Sequence, residues 1–191
     1  MLIATLPLSA KSHLSKASVS AITDEVGANH DEAMDFVKHY NLQWVELRNI
    51  PGTQKEFATL SDPQLKGALA ELRAAKLKVS LLHTAKPNQA AIDAAITLGA
   101  TGIRCATELN STELNMKLAV VTDATEWEPA KTPEAPARIL NVRADSLQPL
   151  NWHRIFDTLQ RNNYQGQISL KTEVARADEA MRELMHYIGE L

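Results

Sequence analysis

Short apolar segments alternate with amphipathic helical patterns along most of this 191-residue chain, and this alternation constrains the fold more than any other feature. The seven strand candidates are residues 18–23, 43–47, 77–83, 101–106, 118–121, 138–143 and 166–171. Between them apolar residues recur at helical spacing, as in Ala33, Phe36, Val37 and Tyr40. Repeated βα units predict a parallel sheet with helices packed outside it.

The rhythm breaks after the fifth strand candidate, in the sequence TDATEWEPAKTPEAPA, which carries three prolines and no helical period. A crossover between parallel strands normally needs a helix-sized connection, and this segment is a poor one. We therefore predict a TIM-barrel-like (β/α) barrel of the α/β class, incomplete, with about seven strands and one βα unit lost around 123–137. An open doubly wound sheet is the alternative, although it would favour a glycine-rich phosphate turn after the first strand.

Several residues predict where helices begin and end. Asn29 with Glu32 three residues later resembles a capping box. The pair Asp62-Pro63 predicts a helix with proline at its first position. Gly99 predicts a helix end, and Asp178 predicts the cap of the final helix.

Length and composition predict one globular domain over 17–191, preceded by an N-terminal arm at 1–16. The net charge is -3 and no basic run occurs, so we expect no nucleic-acid partner and no acidic membrane partner. No apolar segment approaches the roughly 20 residues that span a bilayer. The single cysteine, Cys105, lies in an apolar run and reads as a buried, inert thiol. These features predict a cytoplasmic protein.

Three stretches together resemble the sugar phosphate isomerase/epimerase family, the xylose isomerase-like TIM barrels. They are SAITDEVGANHDEAMDFVKHYNLQWVELRNIPG, LSDPQLKGALAELRAAKLKVSLLHT and LNWHRIFDTLQRNNYQGQISLKTE. The resemblance implies a barrel whose active members hold a divalent metal, Mg²⁺, Mn²⁺ or Zn²⁺, at the carboxyl ends of the strands. The metal polarises the oxygens of a sugar while carboxylates move a proton beside its carbonyl group.

The ligand positions that the resemblance implies are mostly occupied by other residues here. Lys171 stands where the last-strand glutamate is expected, and Val142 lies near the position of a histidine. The fifth-strand glutamate falls near Thr122, with Asp123 beside it, and the sixth-strand aspartate falls in the missing unit. One carboxylate does not make a metal site. We therefore expect the family's metal site to be lost and no cofactor to be bound.

Three roles are open for Lys171, which lies at the predicted end of the last strand. It could form a Schiff base if burial lowered its pKa, or bind a sugar phosphate as a point charge. It could instead form an ion pair with a leftover carboxylate such as Glu173 or Glu46, because a buried lysine must be paired or neutralised.

The other candidates also lie near strand ends. Alternation along the second strand places Glu46 and Arg48 on one side, where they could contact a polyol or pair with neighbouring charges. His83 ends the third strand and Arg104 lies near the end of the fourth. Lys171, Arg48 and Arg104 are the candidate ligand-binding residues, and Glu46, His83 and Glu173 are the candidate catalytic residues.

Two functions remain open from the sequence. The first is an atypical, metal-free sugar phosphate isomerase or epimerase. The second is a non-catalytic scaffold derived from that family, which binds a sugar-like or phosphorylated ligand or a protein partner. Loss of a βα unit exposes sheet edges that must be covered, so the second hypothesis predicts either that segment 123–137 covers them or that a homodimer does.

Overall fold

The protein is an α/β protein with a curled, barrel-like parallel sheet, seen in a computed structural model. The structure describes residues 14–85, 88–105, 119–122, 141–145, 152–161, 164 and 166–189. Leu14 is buried, and a short 3₁₀ turn over Lys16–Ser18 leads into the first strand. Residues 1–13 of the predicted arm, and the predicted gap at 123–137, lie outside the described residues.

Seven strands of the described chain overlap the seven predicted segments. They are β1 Val19–Ile22, β2 Trp44–Leu47, β3 Lys78–Thr84, β4 Gly102–Cys105, β5 Ala119–Thr122, β6 Asn141–Asp145 and β7 Gln167–Lys171. Their order in the sheet is β5-β4-β3-β2-β1-β7-β6, and every recorded pairing is parallel. Neighbouring strands in this order are also neighbours in the chain, except that the first strand lies beside the last. The alternating sequence pattern therefore predicted the strand locations and the parallel pairing correctly.

Six helices of the described chain connect or flank these strands. They are α1 Thr23–Val26, α2 His30–His39, α3 Asp62–Ala74, α4 Gln89–Leu98, α5 Trp152–Arg161 and α6 Ala177–Tyr187. Their apolar faces and the outer face of the sheet form one core. In the described part of the chain, none of the helices has both the length and the apolar character needed to cross a membrane.

The predicted helix ends are confirmed at two places and shifted at two others. The Asn29 side chain accepts a hydrogen bond from the Glu32 backbone, and Gly99 adopts the left-handed conformation that ends α4. Pro63 is the second residue of α3 rather than the first. The predicted cap at Asp178 is wrong, because α6 already begins at Ala177 and the Asp178 carboxylate bonds to side chains instead.

Hydrogen bonds across the concave face show how strongly the sheet curls. The Ser20 and Ser80 hydroxyl oxygens lie 2.8 Å apart, although β2 separates their strands. Adjacent strands are about 4.8 Å apart, so in a flat sheet the two strands would be nearly 10 Å apart, too far for two serines. Similar bonds join β4 to β2 and β2 to β7. The five strands β4-β3-β2-β1-β7 thus form a half-barrel, and β5 and β6 extend its two edges.

Candidate functional site

The concave face of the half-barrel contains a fully buried ion pair. The Arg104 Nε donates to Glu46 Oε1 at 2.8 Å, and both side chains have 0% exposure. The Ser169 hydroxyl donates to the other carboxylate oxygen, Oε2, also at 2.8 Å. Both Glu46 oxygens are therefore bound, one by a guanidinium and one by a hydroxyl.

A second set of hydrogen bonds continues this polar layer. Ser80 donates its proton to the Val45 backbone carbonyl at 3.0 Å, so the Ser20 hydroxyl is the donor in the 2.8 Å bond to Ser80. Ser20 also lies in register with Ser169 on the neighbouring strand. Val19, Val45 and Ile168, the strand neighbours of these polar positions, point the other way and pack in the helix-facing core. The outer face of the sheet is thus apolar at these positions, whereas the concave face carries a layer of polar side chains.

Arg48 organises the rim at the carboxyl ends of β1, β2 and β7. Its Nε and Nη2 each lie 2.9 Å from Asp24 Oδ2, and its Nη1 lies 2.7 Å from Glu25 Oε1. The other Glu25 oxygen accepts a hydrogen bond from the Thr172 backbone N–H at 3.0 Å. Such charge-assisted bonds to a guanidinium are short and directional. They fix the start of α1 against the end of β7.

The predicted site residues fall into separate groups. Glu46 and Arg104 come together inside the half-barrel, whereas Arg48 binds carboxylates at the rim. His83 is half-buried near the end of β3 and is in register with Arg104. Lys171 is half-buried at the end of β7, and Glu173, two residues further, is exposed. The cation that binds Glu46 is therefore an arginine from β4.

From the sequence the role of Glu25 is open, and Ser80 and Ser169 are assigned none. Glu25 follows the first strand, where it could orient the mouth of the barrel or lie in a solvated turn. In the structure it is buried and bridges Arg48 to Thr172. A serine in the middle of an otherwise apolar strand, repeated in several strands, is the signal that could have revealed a polar interior.

The carboxylates of the concave face do not fit a divalent cation. Mg²⁺ and Mn²⁺ need several convergent oxygen ligands, but both Glu46 oxygens accept hydrogen bonds from cationic or hydroxyl donors. The Arg104 guanidinium at 2.8 Å would also repel a metal ion at this carboxylate. In the described ranges, no group of three or more metal-ligating side chains is found. The position of Asp123 lies outside those ranges.

A perturbed ionisable pair lies in the helical layer rather than at this site. The Tyr40 hydroxyl donates to the Asp178 carboxylate at 2.5 Å and joins the end of α2 to the start of α6. Burial, followed by the hydrogen bond to Asp178, raises the pKa of Tyr40 to about 12. The Tyr40 hydrogen bond and then the Arg182 side chain hold the pKa of Asp178 below its ordinary value.

Comparison with known proteins identifies the fold and leaves the function open. No protein-family profile matches the chain, and no curated protein matches its sequence. The crystal structure of an uncharacterized protein from Parabacteroides distasonis ATCC 8503 is similar, with a TM-score of 0.65 and 14% identity. The match covers 91% of this chain and 98% of that one. At this identity the similarity establishes a shared fold alone.

Proposed function

We propose that this protein is a non-catalytic binding protein built on an incomplete TIM-barrel-like scaffold, similar to the sugar phosphate isomerase/epimerase family. It holds a small sugar-like or phosphorylated ligand at the carboxyl ends of its strands, without a metal. One observation carries the proposal: the buried carboxylates at this end, Glu46 and Glu25, are each bound by an arginine and a second donor. Both oxygens of each carboxylate already accept a hydrogen bond from a protein donor, so neither carboxylate is arranged to take a proton from a substrate.

The charge at the rim supports an anionic or polyol ligand. Lys171 ends β7 and can attract a phosphate as a point charge. Arg48 lies at the same rim and is 29% exposed, although its guanidinium is bound to Asp24 and Glu25. His83 adds a polar group at the end of β3. In open and closed α/β sheets alike, ligands bind at the carboxyl ends of the strands.

The scaffold has further consequences for partners and location. The strand order places β5 and β6 at the two edges of the sheet, and an exposed sheet edge is a surface for association. We propose that the protein is a barrel of seven strands that has lost one βα unit, which leaves a gap between these two edges. Either segment 123–137 or a second copy of the chain covers that gap. Cys105 is the single cysteine of the chain and is buried, and a chain that forms no internal disulfide suits a reducing compartment, which supports a cytoplasmic location.

The ligand proposal is tested by thermal shift with sugar phosphates, using ribose 5-phosphate and glucose 6-phosphate as probes. We expect at least one probe to raise the melting temperature of the wild type, and Lys171→Met to abolish that rise. The matched control is Lys38→Met, which removes an exposed lysine from the last turn of α2, the end of that helix that leads into the amino end of β2. A ligand response that survives in Lys171→Met would remove Lys171 from the site.

A second candidate function is a metal-free isomerase or epimerase in which His83 moves the proton. His83 favours it because it lies half-buried at the carboxyl end of β3, in register with Arg104. A histidine side chain can both accept and donate a proton in general acid–base catalysis. Incorporation of solvent deuterium beside the sugar carbonyl, lost in His83→Gln, would establish this function and refute the non-catalytic one. Stoichiometric manganese after purification in Mn²⁺ would refute the metal-free proposal in either form.

A further inference from the structure

A cavity lies on the outer side of the sheet, between α2 and α3, away from the concave face. Its volume is about 270 Å³, and it is open to solvent at one side. Most of its lining is apolar and comes from β2, both helices and the loop between them: Met34, Leu47, Ile50, Phe57, Leu60 and Leu72. The cavity differs in chemistry from the proposed ligand site around Arg48 and Lys171. Its lining is mainly aliphatic and aromatic, whereas that site presents charged side chains.

One polar atom in this lining has no partner. Thr23, the first residue of α1, has 4% exposure, and its hydroxyl oxygen makes no hydrogen bond within the described part of the chain. Burying a hydroxyl without a partner costs about 1–3 kcal/mol. A ligand group that bonds to this hydroxyl would remove that cost, so the atom marks where a polar group of a ligand would lie.

The open side of the cavity has a polar rim. His30 at the start of α2 and Glu71 on α3 approach within 3.7 Å across the gap between the helices. Both side chains are more than half exposed, at 51% and 67%, so each can swing into solvent. A ligand could therefore enter between His30 and Glu71 without either charged group being buried.

The walls of the cavity are preformed. Gly52, beside the lining residues Ile50 and Pro51, has φ of +80°, and a Cβ there would lie 2.7 Å from the Ala28 carbonyl oxygen. The backbone of Gly52, in the loop after β2, therefore packs closely against Ala28, just before α2. On the opposite wall, Gly67 of α3 has nothing within 4 Å of its ideal Cβ position, so the space beside it is open.

The geometry points to a binding site for a neutral, mainly apolar molecule of one or two fused rings with one hydrogen-bonding group. The size follows from volume, because a dry apolar cavity of about 150 Å³ accepts benzene and this one is less than twice as large. The single polar group follows from the Thr23 hydroxyl. Neutrality follows from the apolar lining, which would penalise a buried charge.

Isothermal titration with indole and with indene tests this inference on the full chain. The two probes share their ring shape, and indole alone carries an N–H that can donate to the Thr23 hydroxyl. We expect both to bind the wild type, indole about fivefold more tightly, which is the ratio that one neutral hydrogen bond supplies. In Thr23→Val the two affinities should become equal, while indene binding should be unchanged.

A cavity-filling variant locates the site. Gly67→Leu places a side chain in the open space beside Gly67 and should abolish binding of both probes. The control, Ala70→Leu, adds similar bulk to an exposed position of the same helix that does not line the cavity, and it should bind as the wild type does.

If Gly67→Leu does not fold, the Thr23→Val titration tests the inference by itself. The inference is overturned if the wild type binds neither probe at millimolar concentration, if Gly67→Leu still binds, or if Thr23→Val keeps the preference for indole. None of these results depends on the sugar phosphate experiment.

Discussion

Removal of the cation from the buried ion pair should be among the most damaging single changes in this fold. Arg104→Met keeps much of the side-chain volume and removes the guanidinium that binds Glu46 at 2.8 Å. The carboxylate then remains at 0% exposure with the Ser169 hydroxyl on its other oxygen. Burial of a charge without its counter-charge is the reason for the expected loss.

The magnitude follows from the burial of both partners. Breaking a fully buried pair by removing one member typically costs about 3–5 kcal/mol, whereas an exposed pair is worth less than about 1 kcal/mol. For a domain of this size each kcal/mol shifts the melting temperature by roughly 2–4 °C. We therefore expect Arg104→Met to melt roughly 6–20 °C below the wild type.

Urea unfolding followed by circular dichroism measures this difference, with calorimetry as a second measurement. The matched control is Arg161→Met, which breaks an exposed helical pair with Asp157 whose side chains are 80% and 62% exposed. That control should change the free energy of unfolding by less than about 0.5 kcal/mol. The double variant Glu46→Gln/Arg104→Met should recover at least roughly half of the loss, because a neutral amide needs no counter-charge.

Two results would refute this reasoning. A loss below about 1 kcal/mol in Arg104→Met would mean that the pair behaves as a solvated one. Equal instability of the single and double variants would mean that Arg104 acts through packing rather than through its charge.

Four further predictions concern the helical layer and the turns. Gly67→Ala should raise the free energy of unfolding by about 0.5–1 kcal/mol, because the new Cβ meets nothing and the helix loses a flexible residue. Gly52→Ala should lower the free energy of unfolding, because φ is +80° and the new Cβ would lie 2.7 Å from the Ala28 carbonyl oxygen. The urea midpoints of the two variants, each compared with that of the wild type, test both predictions. The depressed pKa of Asp178 contributes stability that is present above its ordinary value of 3.8 and is lost as pH falls through the lower folded value. The difference in urea midpoint between wild type and Asp178→Asn should therefore shrink below about pH 4. Ultraviolet titration should show a tyrosine with a pKa of about 12 that is absent in Tyr40→Phe.

The strand pattern of the fold could be predicted from sequence because it depends on local periodicity. Each strand is a short apolar run with turn signals on both sides, and Gly99 and Asn29 mark helix boundaries through their own backbone and side-chain preferences. The cap at Asp178 failed because its carboxylate binds Tyr40, which is 138 residues away in the chain.

The site was less predictable because its partners are chosen by the curl of the sheet. Alternation predicts that Glu46 and Arg48 lie on one side of the second strand, but it does not say which cation reaches which carboxylate. Arg104 is 58 residues from Glu46 and lies two strands away, so only strong curvature brings them into contact. Glu25 bridges Arg48 and Thr172 because β1 lies between β2 and β7, a strand order that local periodicity does not show.

The position of β1 between β2 and β7 also affects the order in which the chain can fold. β1 pairs on one side with β2, which follows within a few tens of residues, and on the other side with β7, which is synthesised near the end. Until β7 emerges from the ribosome, one edge of β1 has no strand to pair with, and Glu46 has Arg104 but not Ser169. Pairings of such long range are slow to form, and unpaired edges promote aggregation. The nascent chain therefore passes through a stage in which the edge of β1 that later pairs with β7 is exposed and can promote aggregation.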